Sequence, residues 1–387
     1  MKHSYALLFI LTFISCFPGK RDMKVVIEQV RQKHAPDSRD DVFDVRATAS
    51  KNGKPVLKGY TSLVAAKDEL LQLLPQAIDS VTILPDSTLG DEIYGIVNVS
   101  VADVRTHGDY SAEMATQLLL GMPLRLLQHN RWWRIRTPEG YLGWTAGSAF
   151  TRMNKAAFNE WLSSEKVIFT DIYGFSHAHP AEKSQTVSDL VFGNILRLTG
   201  EQDDFYQVAY PAGDTAYIRK SEAKPLHQWL SELRPTEESI IEKALLLKGI
   251  PYTWGGTSTK MMDCSGFTKT VFLMNGIVLL RDASQQATAG IPVDIANGYD
   301  NLHKGDLMFF GKKGEHGKKD RIRHTGIYMG NKEFIHEAGF VRIASLDPAK
   351  PDYDELNTRE FVQARRILGA VGTKGVKWLN EIMTNEQ

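Results

Sequence analysis

Cysteine is almost missing from this chain: Cys16 and Cys264 are the only two in 387 residues. If Cys16 is consumed in processing of the N-terminus, Cys264 stands alone in the mature protein. No intramolecular disulfide and no cysteine-based zinc site can then form. Net charge is missing too, since Lys+Arg and Asp+Glu both number 46. No overall field recruits nucleic acid or an anionic membrane, and a small or zwitterionic substrate suits that balance better than a polyanion. Long apolar runs are absent beyond the first residues, whereas a membrane-spanning helix needs about 20.

What remains is a chain with 42% hydrophobic residues, enough for several cores. At about 100–200 residues per domain, two to four units are expected. Lys2 and His3 precede an apolar run, Ala6–Ile14, closed by Ser15 and Cys16. The run is too short to span a bilayer and reads as an export signal over residues 1–16. A small residue before a cysteine resembles a lipoprotein processing site, which would attach the protein to a membrane through lipidated Cys16. Phe13 stands where such sites usually carry leucine, so plain secretory cleavage is the other reading. Either way the protein is expected to be exported, periplasmic or membrane-anchored.

Residues 20–95 read as a small α/β unit. Val42–Thr48 alternates like a strand, Ser62–Leu74 has helical apolar spacing, and Ser80–Leu84 reads as a further strand. A weak internal repeat follows. Leu120-Gly121-Met122-Pro123-Leu124-Arg125-Leu126 matches Phe192-Gly193-Asn194-Ile195-Leu196-Arg197-Leu198. Aromatic-rich strands follow each copy, at Trp132–Ile135 and Phe205–Val208, and then Tyr-bearing strands at Gly140–Trp144 and Ala216–Ile218. Short strands with Gly and Pro turns predict two small barrels, over 96–150 and 165–225, spaced by a helix at Asn154–Ser164. Thr236 caps a further helix that Gly249 closes. From 236 to 370 helices come first and antiparallel strands after, an α+β order.

Chemistry concentrates in this last stretch. Tyr252-Thr253-Trp254-Gly255-Gly256 leads to Asp263-Cys264-Ser265-Gly266-Phe267. Phe267, Val271 and Met274 recur at helical spacing, so Cys264 sits at a helix N-terminus. Unpaired N–H groups and the positive dipole end favour a thiolate there. Downstream, His324 opens the strand His324–Gly330, and Glu333–Glu337 reads as its hairpin partner carrying His336. Two histidines facing across a hairpin suit a pair in which one serves the thiol and the other orients it. Parity requires an odd loop of three or five residues around Gly330-Asn331-Lys332, or a bulge. Taken alone, Cys264 would read as a buried structural cysteine and the histidines as ordinary strand residues. His177 and His179 alternate on one strand face but lack acidic or cysteine partners, so surface histidines are expected, with no metal site. The basic run Lys312–Arg323 reads as a solvated loop, with a cationic rim as the functional alternative.

The Tyr-x-Trp-Gly-Gly, Asp-Cys-Ser-Gly, His-x-Gly-Ile-Tyr and Phe-Ile-His elements, in that order, resemble the NlpC family of cell-wall cysteine peptidases. The match covers about a third of the chain. The repeated strand pattern resembles bacterial SH3-like modules. The resemblance implies a papain-like catalytic domain that needs no metal or cofactor. It implies Cys264 as nucleophile, His324 as base, His336 as orienting residue and Tyr252 beside the thiol. The implied substrate is a peptidoglycan stem peptide, L-Ala-γ-D-Glu-diamino acid, cut at the γ-D-glutamyl bond. In such combinations the first module can read a free N-terminal L-Ala. The roles carry to Glu113 and Tyr141, with Trp254, Asp263, Ser265 and Ser284 on the catalytic side. The reading counts on a buried Glu113 carboxylate to favour a charged amine. A wall-binding protein, and an acyltransferase or other amidase on the same fold, are the rival classes.

Overall fold

The structure, a computed structural model, describes residues 23–315 and 317–384; the export-signal segment and Cys16 lie outside them. The chain divides into two compact units after Leu84. In the first, α1 (Met23–His34) precedes β1 (Phe43–Ala49), β2 (Pro55–Thr61), α2 (Val64–Leu73) and β3 (Ile78–Ile83). β1 runs antiparallel to β2, and α2 carries the chain across so that β3 joins β2 in parallel. Val26, Val30, Phe43, Leu57, Leu70 and Val81 bury one face of each element. Pro55, Lys58 and Gly59 break the alternation of β2, which is why its sequence does not announce a strand.

The second unit, from Pro85 on, begins with seven strands: β4 (Tyr94–Val97), β5 (Val101–Arg105), β6 (Met114–Leu119), β7 (Pro123–Asn130), β8 (Trp132–Arg136), β9 (Leu142–Thr145) and β10 (Phe150–Met153). The boundary expected at residue 95 falls inside β4. Then comes α3 (Lys155–Ser163), whose first turn the Asn154 side chain caps by accepting from the Ala157 N–H. Seven more strands follow: β11 (Lys166–Phe169), β12 (Tyr173–His177), β13 (Thr186–Val191), β14 (Ile195–Gln202), β15 (Phe205–Ala209), β16 (Thr215–Arg219) and β17 (Ala223–Pro225).

The first sheet has the order β10-β4-β7-β8-β9-β5-β6 and the second β17-β11-β14-β15-β16-β12-β13. Raising each number in the first by seven gives the second, so the faint sequence repeat is a full duplication of topology. The matched segments lead into β7 and β14. Gly121 (φ 82°) and Gly193 (φ 85°) take the same left-handed turn ahead of them, a conformation that suits glycine. Each order runs from one end strand to the other without closing into a ring.

Helices α4 (Leu226–Glu232) and α5 (Glu237–Leu246) lead into the third part. Thr236 and Ser239 close a reciprocal capping box at the start of α5. The short strands β18 (Thr257–Ser258) and β19 (Met261–Met262) pair just ahead of α6 (Cys264–Leu273). After β20 (Ile277–Leu279), α7 (Ala283–Gln286) and β21 (Ile291–Val293) come β22 (Leu307–Lys312), β23 (Arg321–Gly330), β24 (Glu333–Glu337) and β25 (Val341–Ser345). They are followed by α8 (Glu355–Arg359), β26 (Phe361–Arg366), β27 (Val376–Trp378) and α9 (Leu379–Thr384). The six-stranded antiparallel sheet β21-β26-β22-β23-β24-β25 is packed by α6, with Phe267 and Val271 in one core with Ile327 and Ile335. This part does not stop at residue 370: β27 pairs with β20, and Leu379, Ile382 and Met383 of α9 join the same core. Among the described residues no helix is long and apolar enough to cross a membrane.

Candidate active site

Asp263 is the N-cap of α6 and accepts from the Gly266 N–H at 2.8 Å. Its carboxylate also receives the Gly255 N–H (2.9 Å), the Ser265 hydroxyl (3.2 Å) and both terminal nitrogens of Arg281 (3.1 and 2.6 Å). Arg281 in turn donates to Ser265 Oγ at 2.9 Å and is 1% exposed. Asp263 and Ser265 are thus occupied in a buried network that fixes the start of α6 to the Tyr252–Gly256 loop. Gly266 is required here, because a Cβ would collide with the Gly256 carbonyl. Arg281 was not singled out from the sequence. The available signal was a charged residue closing the apolar run 277–280, ahead of Asp282.

Cys264, the first residue of α6, is half-buried. The backbone N–H of Thr325, the residue after His324, points at its sulfur. The helix terminus was expected to favour a thiolate. Instead, burial first and then Asp263 push the thiol up to about 12, against the Thr325 and Ser265 N–H groups and Arg281. His324 Nε2 lies 2.8 Å from His336 Nδ1, and both rings are buried beside Phe310 and Phe334. Burial holds the imidazole of His324 well below its ordinary range, with His336 adding to the effect, and lowers His336 to about 4. Both rings are therefore neutral at pH 7, and one donates to the other.

The hairpin that joins them differs from expectation. Its loop has two residues, Asn331 and Lys332, both at positive φ (52° and 61°). A bulge between Tyr328 and Gly330 restores the parity, so His336 sits opposite Gly326 rather than opposite His324. The rings meet diagonally on one face. The extra residue, Met329, cannot be read from the spacing of the histidines.

Tyr252 is half-buried, and its phenol is raised by burial and then by Cys264, so the two groups lie within electrostatic reach of each other. Trp254 is 61% exposed at the rim. Tyr141 is brought in from the first seven-stranded sheet: its hydroxyl donates to Asp282 Oδ2 at 3.2 Å, one residue from Arg281. Ser284 lies half-buried in α7, two residues farther on. Glu113 is exposed, so the expected buried carboxylate is not there. Its neighbour Met114 does press on the site: Gly255 (φ 79°) has no room for a Cβ because the Met114 carbonyl fills that space. Of the two strand histidines, His177 is buried with Nδ1 3.5 Å from the Ser184 carbonyl rather than on the surface. No cluster of metal-ligating side chains occurs among the described residues.

Both seven-stranded sheets grip the segment between Gly256 and Cys264. From the first, Gln117 exchanges three hydrogen bonds with Thr257 at 3.0–3.2 Å. From the second, Asp189 pairs with Lys260 at 2.5 Å, and the Ile172 carbonyl accepts from Thr259 Oγ1 at 2.5 Å. Ser100 links the two by hydrogen bonds to Asp189 and Lys260.

Residues 249–360 match the NlpC/P60 family, and residues 104–150 match the bacterial dipeptidyl-peptidase SH3 domain. A gamma-D-glutamyl-L-lysine dipeptidyl-peptidase from Bacillus cereus is 29% identical over 266 residues, 66% of this chain and 76% of that protein. Dipeptidyl-peptidase 6 from Lysinibacillus sphaericus is 26% identical over 268 residues, 67% of this chain and 93% of that protein. The crystal structure of an NlpC/P60 family protein from Bacillus cereus superposes with a TM-score of 0.59 at 25% identity, covering 70% of this chain and 99% of that one. The half-buried cysteine at a helix start and the paired histidines therefore lie in an NlpC/P60 domain, which this chain carries behind a bacterial SH3 domain.

Proposed function

We propose that the protein is an exported cysteine peptidase that hydrolyses the γ-D-glutamyl–diamino acid amide of peptidoglycan stem peptides bearing a free N-terminal L-Ala. The observation that carries the reading is Cys264 at the start of α6, which packs on β23, the strand that carries His324, with His324 bonded to His336. The names of the Bacillus cereus and Lysinibacillus sphaericus relatives support the bond class. The second seven-stranded sheet, sharing the topology of the first, is read as a second SH3-like module.

In this mechanism the thiol proton passes to His324 as the sulfur attacks the γ-carbonyl carbon of D-Glu. Negative charge collects on the carbonyl oxygen, which the N–H groups at the start of α6 and the Tyr252 hydroxyl are suited to receive. Collapse breaks the C–N bond, and His324 returns its proton to the leaving amine. Water then gives a proton to His324 and attacks the thioester, releasing the L-Ala-D-Glu acid and restoring the thiol. His336 keeps the His324 ring oriented. Proton transfer by a positioned base contributes about 100- to 10,000-fold in rate. Tyr141, bonded to Asp282, and the Glu113–Met114 segment along Gly255 support contact of the first module with the substrate's N-terminal residue.

The test uses L-Ala-γ-D-Glu-L-Lys, its diaminopimelate counterpart and intact sacculi, with products read by mass spectrometry. Free dipeptide and diamino acid are expected, and Cys264→Ala and His324→Ala should abolish them while circular dichroism stays unchanged. His336→Asn should retain part of the activity. A transferred acyl group would instead identify an acyltransferase, and binding without turnover a wall-binding protein. Sacculi cut as fast as free tripeptide per accessible bond would refute the preference for a free amine.

A further inference from the structure

Strand β12 carries two aromatic rings that the fold leaves in water. Tyr173 is 51% and Phe175 41% exposed, and their rings meet edge to face with centroids 5.3 Å apart. Side chains alternate along a strand, so the two share one face. Gly174 and Ser176 turn the other way. A Cβ on Gly174 would strike the Phe169 ring at 2.7 Å, and the Ser176 hydroxyl bonds the buried Tyr210 hydroxyl at 2.7 Å. The inward positions are small because the core is full, while the outward ones are large and stay in solvent. Strands β12 and β13 form the outer hairpin of the second sheet, with β13 its end strand.

This pair is joined to the loop ahead of Cys264 by a short series of contacts. Phe175 lies directly opposite Asp189, hence on the same face, and Asp189 holds Lys260 at 2.5 Å. The carbonyl of Ile172, the residue before Tyr173, accepts from Thr259 Oγ1. Met261 follows Lys260 and is exposed. The Thr253 N–H donates to the Met262 carbonyl at 3.1 Å, so exposed Trp254 and exposed Met261 each adjoin one bonded pair. Trp254, Met261, Phe175 and Tyr173 thus follow one another along a rim that starts at the Tyr252–Gly256 loop and ends on the second sheet. Single apolar residues on a surface mean little, but a connected run of four marks a binding surface. The ion pair along it, Lys260 with Asp189, is neutral as a whole. A polyanion or an anionic membrane finds no net field there, and an uncharged partner fits. The electron-rich face of an aromatic ring suits the C–H face of a sugar. The 5.3 Å between the two centroids is comparable to the length of one sugar unit in a chain. The Tyr173 hydroxyl and the Lys260–Asp189 pair supply donors and acceptors for sugar hydroxyls.

We propose that the rim formed by Trp254, Met261, Phe175 and Tyr173 is a docking surface for an uncharged glycan chain, with one sugar ring resting in the corner between Tyr173 and Phe175. Which glycan this is rests on the peptidase reading above: it is the N-acetylated sugar polymer to which stem peptides are attached. The docked chain and the peptide being cut are separate molecules. The surface holds the enzyme where stem peptides are released and leaves the requirements of the cleft unchanged. The second sheet then has a task of its own, beyond seating residues 257–260.

The test titrates the N-acetylglucosamine tetramer, an uncharged stand-in for the polymer, into the full chain by calorimetry. Saturable binding is expected. Tyr173→Ala and Phe175→Ala should each weaken it about tenfold, as loss of one stacking contact does. Phe175→Trp keeps a ring at the position and should bind as wild type does. All three variants should cut L-Ala-γ-D-Glu-L-Lys at the wild-type kcat/KM. No binding by the wild type, or binding left unchanged by both alanine variants, overturns the proposal. A matching loss of tripeptide cleavage also overturns it, since the rings would then be props of residues 257–260. Sedimentation of wild type and Phe175→Ala checks the other occupant. A concentration-dependent dimer that the variant loses would assign the rim to a second copy of the chain and overturn the glycan. If the wild type does not cut the tripeptide, the peptidase reading has failed, and the titration still decides about the rim.

Discussion

Arg281→Met should be among the most destabilising single changes in the second unit. The side chain is almost fully buried, and its two terminal nitrogens meet the two oxygens of Asp263 at 3.1 and 2.6 Å. Its partner's side chain is 8% exposed, so solvent screening takes little from the pair. Methionine fills much of the volume but leaves the Asp263 carboxylate buried against two N–H groups and a hydroxyl, without a counter-charge. Breaking one side of a buried pair costs about 3–5 kcal/mol. For a unit of this size that corresponds to a Tm lower by about 6–10 °C. Asp263→Asn should cost a similar amount, because it strands the guanidinium while keeping an oxygen for the α6 cap. Urea unfolding followed by tryptophan fluorescence at pH 7 measures each variant. In Asp263→Asn/Arg281→Met the two losses should overlap, leaving a coupling of about 2 kcal/mol or more. An Arg281→Met variant within about 1 kcal/mol of wild type, or strictly additive losses, would show that the pair does not hold the helix start.

Two further outcomes follow from the site. With the Cys264 thiol pushed up to about 12, alkylation of the free enzyme by iodoacetamide should accelerate with pH through the alkaline range. A rate independent of pH down to pH 5 would mean a preformed thiolate instead. Gly255→Ala combines a left-handed backbone with a collision against the Met114 carbonyl, so it should cost about 1–3 kcal/mol in stability. It should also lower kcat/KM on free tripeptide, and wild-type kinetics in this variant would argue that the Met114 strand does not shape the cleft.

Cys264, the helix it opens and the two histidines were legible because each sits in a local pattern: an N-cap before a helical apolar period, or a strand bearing a histidine. The duplication was legible as two short segments around Gly121 and Gly193, although its extent appears only when the strand orders are compared. What the sequence hid is set by long-range pairing. The bulge at Met329 decides which face His336 takes, and nothing local marks it. Asp263, Ser265 and Arg281 read as separate polar residues until their hydrogen bonds close into one network. Exposure of Glu113 depends on how the strand after it packs, which hydropathy does not assign.

The grip of both seven-stranded sheets on residues 257–260 also governs the order in which this molecule becomes competent. The contacts that set this segment join residues 140 positions apart at Gln117 and Thr257, 160 apart at Ser100 and Lys260, and 87 apart at Ile172 and Thr259. Closures over such separations come late in folding, because their entropy must be lost before they return any energy. The stretch that delivers the sulfur is therefore seated only after three separately formed parts have docked. A chain emerging N-terminus first has both sheets ready before Cys264 exists, so the thiol enters a socket already built. A fragment beginning at residue 249 would keep Cys264, His324 and His336 and lack that socket, so on the proposed function it should be less active than the full chain.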